Sequence, residues 1–196
     1  MDAQLFGDRE MVVRLRAFGP AVVEQLTPTV RGLQLLLQNA IKRLLSGDIL
    51  RNRTGNLRES FVPGEIEVTE SKVSGVVGSN LVYARIQDAG GQIVPKNAQN
   101  LTIPMQAVLT ANGVARYSAR EVISNPAIGG FTGTFFAKGM LFGKGAGGIT
   151  PLFKLKKSVT IPPHQFMARA LSEVEPAAQE QMNAALETAA KKIQGA

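Results

Sequence analysis

Residues 20–47, PAVVEQLTPTVRGLQLLLQNAIKRLLSG, decide how the chain is read. Val22, Leu26, Val30, Leu33, Leu37, Ala40 and Leu44 fall 4, 4, 3, 4, 3 and 4 residues apart, the recurrence of one face of an α-helix. Gly47 is the expected C-terminal stop. Thr27-Pro28 interrupts the run: either Thr27 caps a fresh helix with Pro28 at its first position, or one helix kinks there. Leu35, Leu36 and Ile41 widen the apolar face beyond a narrow coiled-coil seam, so this helix should be covered on more than one side. Upstream, Asp8 reads as an N-cap, and Met11, Leu15 and Phe18 predict a further helix ended by Gly19-Pro20. Residues 1–47 are thus expected to be N-terminal helices.

A second helical stripe closes the chain over 165–194, through Phe166, Ala170, Val174, Ala178, Met182, Leu186, Ala189 and Ile193, with Pro176 marking a kink or restart. Between the two, residues 61–161 read as β-rich. Glu65–Thr69 and Lys72–Val76 alternate polar and apolar residues, predicting a hairpin that turns near Glu70-Ser71. Leu81–Ala89 reads as a short helix ended by Gly90-Gly91, and short strands at Gln92–Val94 and Leu101–Ile103 flank a Pro95-Lys96-Asn97 turn. Within an extended insertion over 105–150, Ser118–Ser124 predicts a helical turn. Thr134–Ala137 and Met140–Phe142 predict a hairpin around Lys138-Gly139, and Gly143–Gly148 a flexible loop. Pro151–Val159 reads as a strand. The pattern is α+β: an antiparallel sheet with hairpins, packed by long N-terminal and C-terminal helices, as a single domain over 1–196.

Composition narrows the chemistry. The chain has 196 residues, 44% hydrophobic and 19% charged, enough to bury a core. It has no cysteine and one histidine, so thiolate metal sites, disulfides and multi-histidine sites are excluded. His164 lies in Pro162-Pro163-His164-Gln165, a strand-to-helix junction with its nearest downstream acid at Glu173; it reads as a capping or exposed histidine rather than a general base. Neither Glu65 and Glu67 nor Glu173 and Glu175 form a carboxylate pair beside a cleft. The Gly143–Gly148 run lacks the G-x-x-x-x-G-K-[ST] order of a phosphate loop. No catalytic residue, cofactor or metal site is expected. No window approaches the ~18 consecutive apolar residues of a membrane span, and Met1–Glu10 lacks the apolar run of a secretory signal.

Charge is uneven. The net is +7, and residues 117–170 hold seven basic side chains against Glu121 alone. This stretch is either a basic stripe facing nucleic acid or a solvated hairpin with lysines outward. On a strand, Lys154 and Lys156 share one face; with Lys157 they either contact phosphate without reading sequence or guard a sheet edge. Phe135, Phe136, Met140, Leu141 and Phe142 would be exposed on a monomer unless covered, which points to a subunit interface.

The order of motifs resembles the tail-completion, or head–tail joining, family of long-tailed bacteriophages. A basic connection leads into Thr54-Gly55-Asn56-Leu57-Arg58-Glu59-Ser60, like the family's T-G-x-L-R-x-S. Val77-Gly78-Ser79-Asn80-Leu81-Val82-Tyr83-Ala84 follows, like V-G-[ST]-x-x-x-Y-A. Asp88-Ala89-Gly90-Gly91 fills the next turn, and Pro162–Met167 aligns with a P-A-R-P-F-L-like junction. His164 and Gln165 replace the usual Arg and Pro there, so no role of that Arg carries over. Residues 92–160 look more like the Mu-type virion morphogenesis branch. The resemblance implies a structural virion protein without catalytic residues, assembled in the host cytoplasm. It would act at the neck or tail end as a homo-oligomer, a hexameric ring, beside other phage neck and tail proteins. Non-specific contact with packaged DNA through Lys154, Lys156 and Lys157 follows as an expectation, with no membrane partner. The alternative from another class is a non-specific DNA-binding protein using the basic 117–170 stretch.

Overall fold

The long amphipathic run folds as expected. In the computed structural model, which describes residues 10–14, 20–50, 53–69 and 72–194, helix α1 (Pro20–Arg43) is continuous through Pro28. Thr27 Oγ1 donates to the Val23 carbonyl at 2.9 Å one turn back, beside the point where Pro28 supplies no N–H. Val22, Leu26, Val30, Leu33, Leu37 and Ala40 are buried, as their spacing requires. Beyond them the periodicity slips. Ile41 and Leu45, four residues apart, continue the buried stripe while Leu44 is half-buried, and the run closes in a π-helical turn (Leu44–Asp48). Leu35 stays exposed, so the face is widened through Leu36 and Ile41 only.

The contacts divide the chain into two compact units: residues 1–89 with 163–196, and residues 90–162. In the first, α1 lies against the C-terminal helix (Phe166–Gln194) and a small antiparallel sheet. Residues 10–14 form strand β1 (Glu10–Arg14) rather than the helix expected around Met11; Glu10 pairs with Val76 and Arg14 with Lys72. A helical spacing of a few apolar residues yields here to an available strand edge, and Val12-Val13 are β-branched residues suited to it. Asp8, Leu15 and Phe18 lie outside the described residues.

After α2 (Asn56–Glu59), strands β2 (Phe61–Pro63) and β3 (Glu67–Thr69) line one edge of the central strand β4 (Lys72–Ser79), whose other edge takes β1. The expected hairpin is present, with Thr69 opposite Lys72. Short helix α3 (Ala84–Ala89) ends at Gly90, whose φ of 72° is left-handed. The core joins α1 to the C-terminal helix through Phe166, Ala170, Val174, Ala178, Met182 and Ala189, and Phe61 meets Phe166 edge-on at 5.7 Å. Leu186 is half-buried, and Pro176 sits on the exposed side of an unbroken helix.

Two glutamines one helical turn apart fasten α1 to this sheet. Gln34 is fully buried, its Nε2 donating to the carbonyls of Gly64 at 3.1 Å and Val76 at 2.9 Å. Gln38 Nε2 donates to the Phe61 carbonyl at 2.8 Å. The amide of Gln34 lies over Gly75, where a Cβ would come within 2.7 Å of its Cδ. Glycine at 75 is therefore a requirement of close approach.

In the second unit, strands β5 (Gly91–Ile93) and β10 (Val159–Ile161) pair with each other. The larger sheet runs in the order β6 (Leu101–Pro104), β9 (Gly148–Lys156), β8 (Met140–Gly145), β7 (Gly133–Ala137), all antiparallel. The strands flanking Pro95-Lys96-Asn97 thus belong to different sheets. The insertion read over 105–150 sits inside this unit.

Helix α4 (Ala119–Ser124) covers the inner face, begun by a capping box: Ser118 Oγ accepts the Glu121 N–H at 3.2 Å and Glu121 Oε2 accepts the Ser118 N–H at 2.6 Å. Val108, Ala119, Val122, Leu141, Leu152 and Phe153 form its core, with Tyr117 and Phe131 at the margin.

The turn at Lys138-Gly139 has φ of 46° and 71°, the signature of a tight hairpin. The glycine run differs from its expectation as a flexible loop. Gly143 and Gly145 belong to β8, Gly148 opens β9, and Gly145 pairs with Gly148 across a tight turn. The reason is aromatic packing. Phe131 lies over the strand, and a Cβ on Gly143 would come within 2.7 Å of its ring.

Candidate nucleic-acid and assembly surfaces

Register sorts the candidate residues onto faces. In the β7–β8 hairpin Phe135 lies opposite Phe142, Phe136 opposite Leu141, and Ala137 opposite Met140. Side chains alternate along a strand, so Phe135, Met140 and Phe142 share the outer face, while Phe136 and Leu141 point to the inner one. Leu141 is fully buried in the core of its unit. It therefore leaves the set of surface residues: it is packed against its own chain and has no area left for a neighbour. Phe136 is on the same side but on the edge strand, where nothing covers it as fully, and it is 60% exposed.

The two phenylalanines of the outer face stack, with centroids 5.4 Å apart and planes at 16°. Strand β9 brings lysines to the same face. Lys154 lies opposite Met140 on one side and Ile103 on the other, and Lys156 lies opposite Leu101. Lys144, two residues beyond Phe142 on β8, has the same orientation. Lys157 follows the end of the strand and is exposed, as are Lys144, Lys154 and Lys156.

A bulge keeps this face separate from the core. Leu141 pairs with Phe153 and Phe142 with Pro151, which leaves Leu152 as the extra residue. Leu152 and Phe153 are consequently both buried although they are neighbours on a strand. Sequence alternation alone cannot place two successive side chains on the inner face. The sequence reading treated the aromatic cluster and the lysines as separate surfaces; the register makes Phe135, Met140, Phe142, Lys154 and Lys156 one surface.

Electrostatics reinforce this. Of the 22 basic and 15 acidic residues, 8 and 1 fall in residues 90–162, leaving 14 of each in the other unit. The entire net charge of +7 therefore belongs to the second unit. All eight of its cations are exposed. Its one acid, Glu121, is held below the ordinary carboxylate range by the Ser118 backbone N–H and then by the Ser118 side chain. Among the described residues, the ion pairs Lys42–Glu59, Arg43–Glu173 and Arg58–Glu59 all belong to the first unit.

The first unit has its own surface features. Thr54, Gly55, Leu57, Arg58 and Tyr83 line a groove of about 430 Å³ with Leu45, Leu50, Arg53 and Gln87, and no Asp, Glu or His is among its lining residues. Arg58 is engaged by Glu59 at 2.7 Å, and Lys42 by the same carboxylate at 3.0 Å; these contacts, Lys42 first, hold Glu59 below its usual range. Beside the groove Val82 is 96% exposed.

His164 serves the start of the C-terminal helix. Its backbone N–H and that of Gln165 donate to the Asp88 carbonyl at 3.0 and 2.9 Å, and Nδ1 lies 2.9 Å from the Gln87 carbonyl. Asp88 Oδ1 accepts the Met167 N–H at 3.0 Å, placing a carboxylate at the helix N-terminus. Sequence reading missed Asp88 in this role because it lies 79 residues from its partner. Among the described residues no three His, Asp or Glu side chains gather as a metal site, and no helix is long and apolar enough to cross a membrane.

No protein-family model, curated protein or solved structure matches this chain.

Proposed function

We propose that this chain is a non-enzymatic structural component of a tailed phage particle, acting in head–tail joining or tail completion as a ring of six subunits. The observation that carries the reading is that the four segments on which the resemblance rests meet in two pairs. Ser60, closing Thr54–Ser60, shares a 2.7 Å hydrogen bond between hydroxyls with Ser79 of Val77–Ala84. Asp88, opening Asp88–Gly91, binds the backbone of His164, Gln165 and Met167 in the closing junction. Segments far apart in sequence thus meet in two pairs, an arrangement that supports reading them together.

Val62, Val68, Val82 and Tyr83 are exposed on the same unit. Apolar side chains left outside in this number suit burial against a neighbouring subunit. The mechanism is then mechanical: the long helices hold the sheet rigid, and exposed apolar positions join copies around an axis. The test is deletion of this gene in the particle-producing strain, followed by electron microscopy of the lysate. Filled heads and separate tails should accumulate; complete, infectious particles in normal yield would overturn the proposal.

A further inference from the structure

We propose that the outer face of the four-stranded sheet binds single-stranded nucleic acid, with Lys144, Lys154 and Lys156 on its phosphates and a base against the ring of Phe135. The proposal rests on the charge and register of residues 90–162 and is independent of the virion reading.

Three observations select a polyanion with flat, unpaired bases. The unit carries the whole net charge of the chain, and no carboxylate among the described residues pairs with any of the three lysines. Such a surface repels itself until counter-ions or a polyanion neutralise it. Lys154 and Lys156 project from the same side of one strand, about 6.6 Å apart along it, which matches the step between neighbouring phosphates of an extended single strand.

Beside them stands the stacked pair. Phe142 covers one side of Phe135, which lies on the edge strand and remains 38% exposed, available to a further ring. A duplex keeps its bases stacked inside, so it would use the lysines and leave the ring idle. The outward positions of these strands carry Leu, Ile, Met, Phe, Pro, Ala, Gly and Lys, with no Arg, Asn or Gln to read base edges. Binding should therefore tolerate any sequence.

The test uses the full chain and fluorescence anisotropy with a labelled oligothymidylate, a duplex of equal length, and anionic vesicles as a third ligand. The single strand should bind more tightly than the duplex, and log affinity should fall against log salt with a slope near −2 for three phosphates. K154E/K156E should weaken binding at least tenfold and flatten that slope. F135A should weaken single-strand binding roughly five- to a hundredfold while leaving the slope unchanged, and F135Y should restore it. If F135A alters the circular dichroism spectrum, F135Y against Phe135→Leu gives the same comparison between ring and non-ring. Equal binding of duplex and single strand with no effect of the ring would overturn the proposal in favour of a plain polyanion surface. Vesicle binding without oligonucleotide binding, or no oligonucleotide binding at low salt, would overturn it outright.

Discussion

The two units of this chain are built to opposite electrostatic rules. Residues 1–89 with 163–196 balance their charges, form surface ion pairs and tie α1 to its sheet with glutamine amides. Residues 90–162 carry +7, and their single acid is occupied in a helix cap. The contrast separates holding a fold together from presenting a surface. Charge repulsion opposes compaction, so an unbalanced unit gives up stability that a balanced one keeps. The second unit offsets this with a core of Leu141, Leu152 and Phe153 and with turns that fit their glycines.

The largest expected effect tests whether the units stand apart in stability. Phe166→Ala removes a fully buried ring from the first core and should cost about 3–5 kcal/mol. Hydrogen exchange should show α1 and β4 losing protection while β8 and β9 retain theirs; equal loss in both would break the division. Next comes Gly75→Ala, expected to cost about 1–3 kcal/mol, because its methyl group meets the Gln34 amide. In denaturant titrations the double variant Gly75→Ala with Gln34→Ala should cost less than the sum of the singles. Strict additivity would show that the contact is not the cause.

A smaller effect sharpens the comparison from the other side. Ser118→Ala should destabilise α4 by about 1 kcal/mol. Glu121 titrates below its ordinary value in the folded unit. Its contribution is therefore present above the unfolded value and fades as pH falls through the folded one. Being the only acid in residues 90–162, it should give that unit a single acid transition, visible by NMR and moved upward in Ser118→Ala. The smallest expected effect is that of salt. Screening should raise exchange protection in β8 and β9 by a few tenths of a kcal/mol and leave α1 nearly unchanged. A reversed order would mean that the lysines are not repelling one another.

Much of this organisation is legible in the sequence because it rests on local periodicity. The α1 stripe, the C-terminal stripe, the Lys138-Gly139 turn and the helical turn over Ser118–Ser124 each follow from residues close together in the chain. What escaped has a long-range cause. Strand β1 depends on an open edge of β4 some sixty residues away, which local spacing at Met11 cannot reveal. Gln34 reads as a polar flank of the helix, and only its place inside the run Leu33-Gln34-Leu35-Leu36-Leu37 hints at burial. The glycines of β8 read as slack until Phe131 is seen above them. For the candidate surface, both halves were visible, but their union depended on strand register and on the bulge at Leu152. That bulge turns both Leu152 and Phe153 inward, while plain alternation along β8 sends Leu141 inward and leaves Phe142 outside.

The most direct measurement of the proposed role is the number of copies of this chain in purified particles, counted by quantitative mass spectrometry of a gradient-purified lysate. A structural ring at the head–tail joint predicts about six copies per particle. Complete absence from particles would contradict the virion role and leave nucleic-acid binding by the basic unit as the activity to pursue.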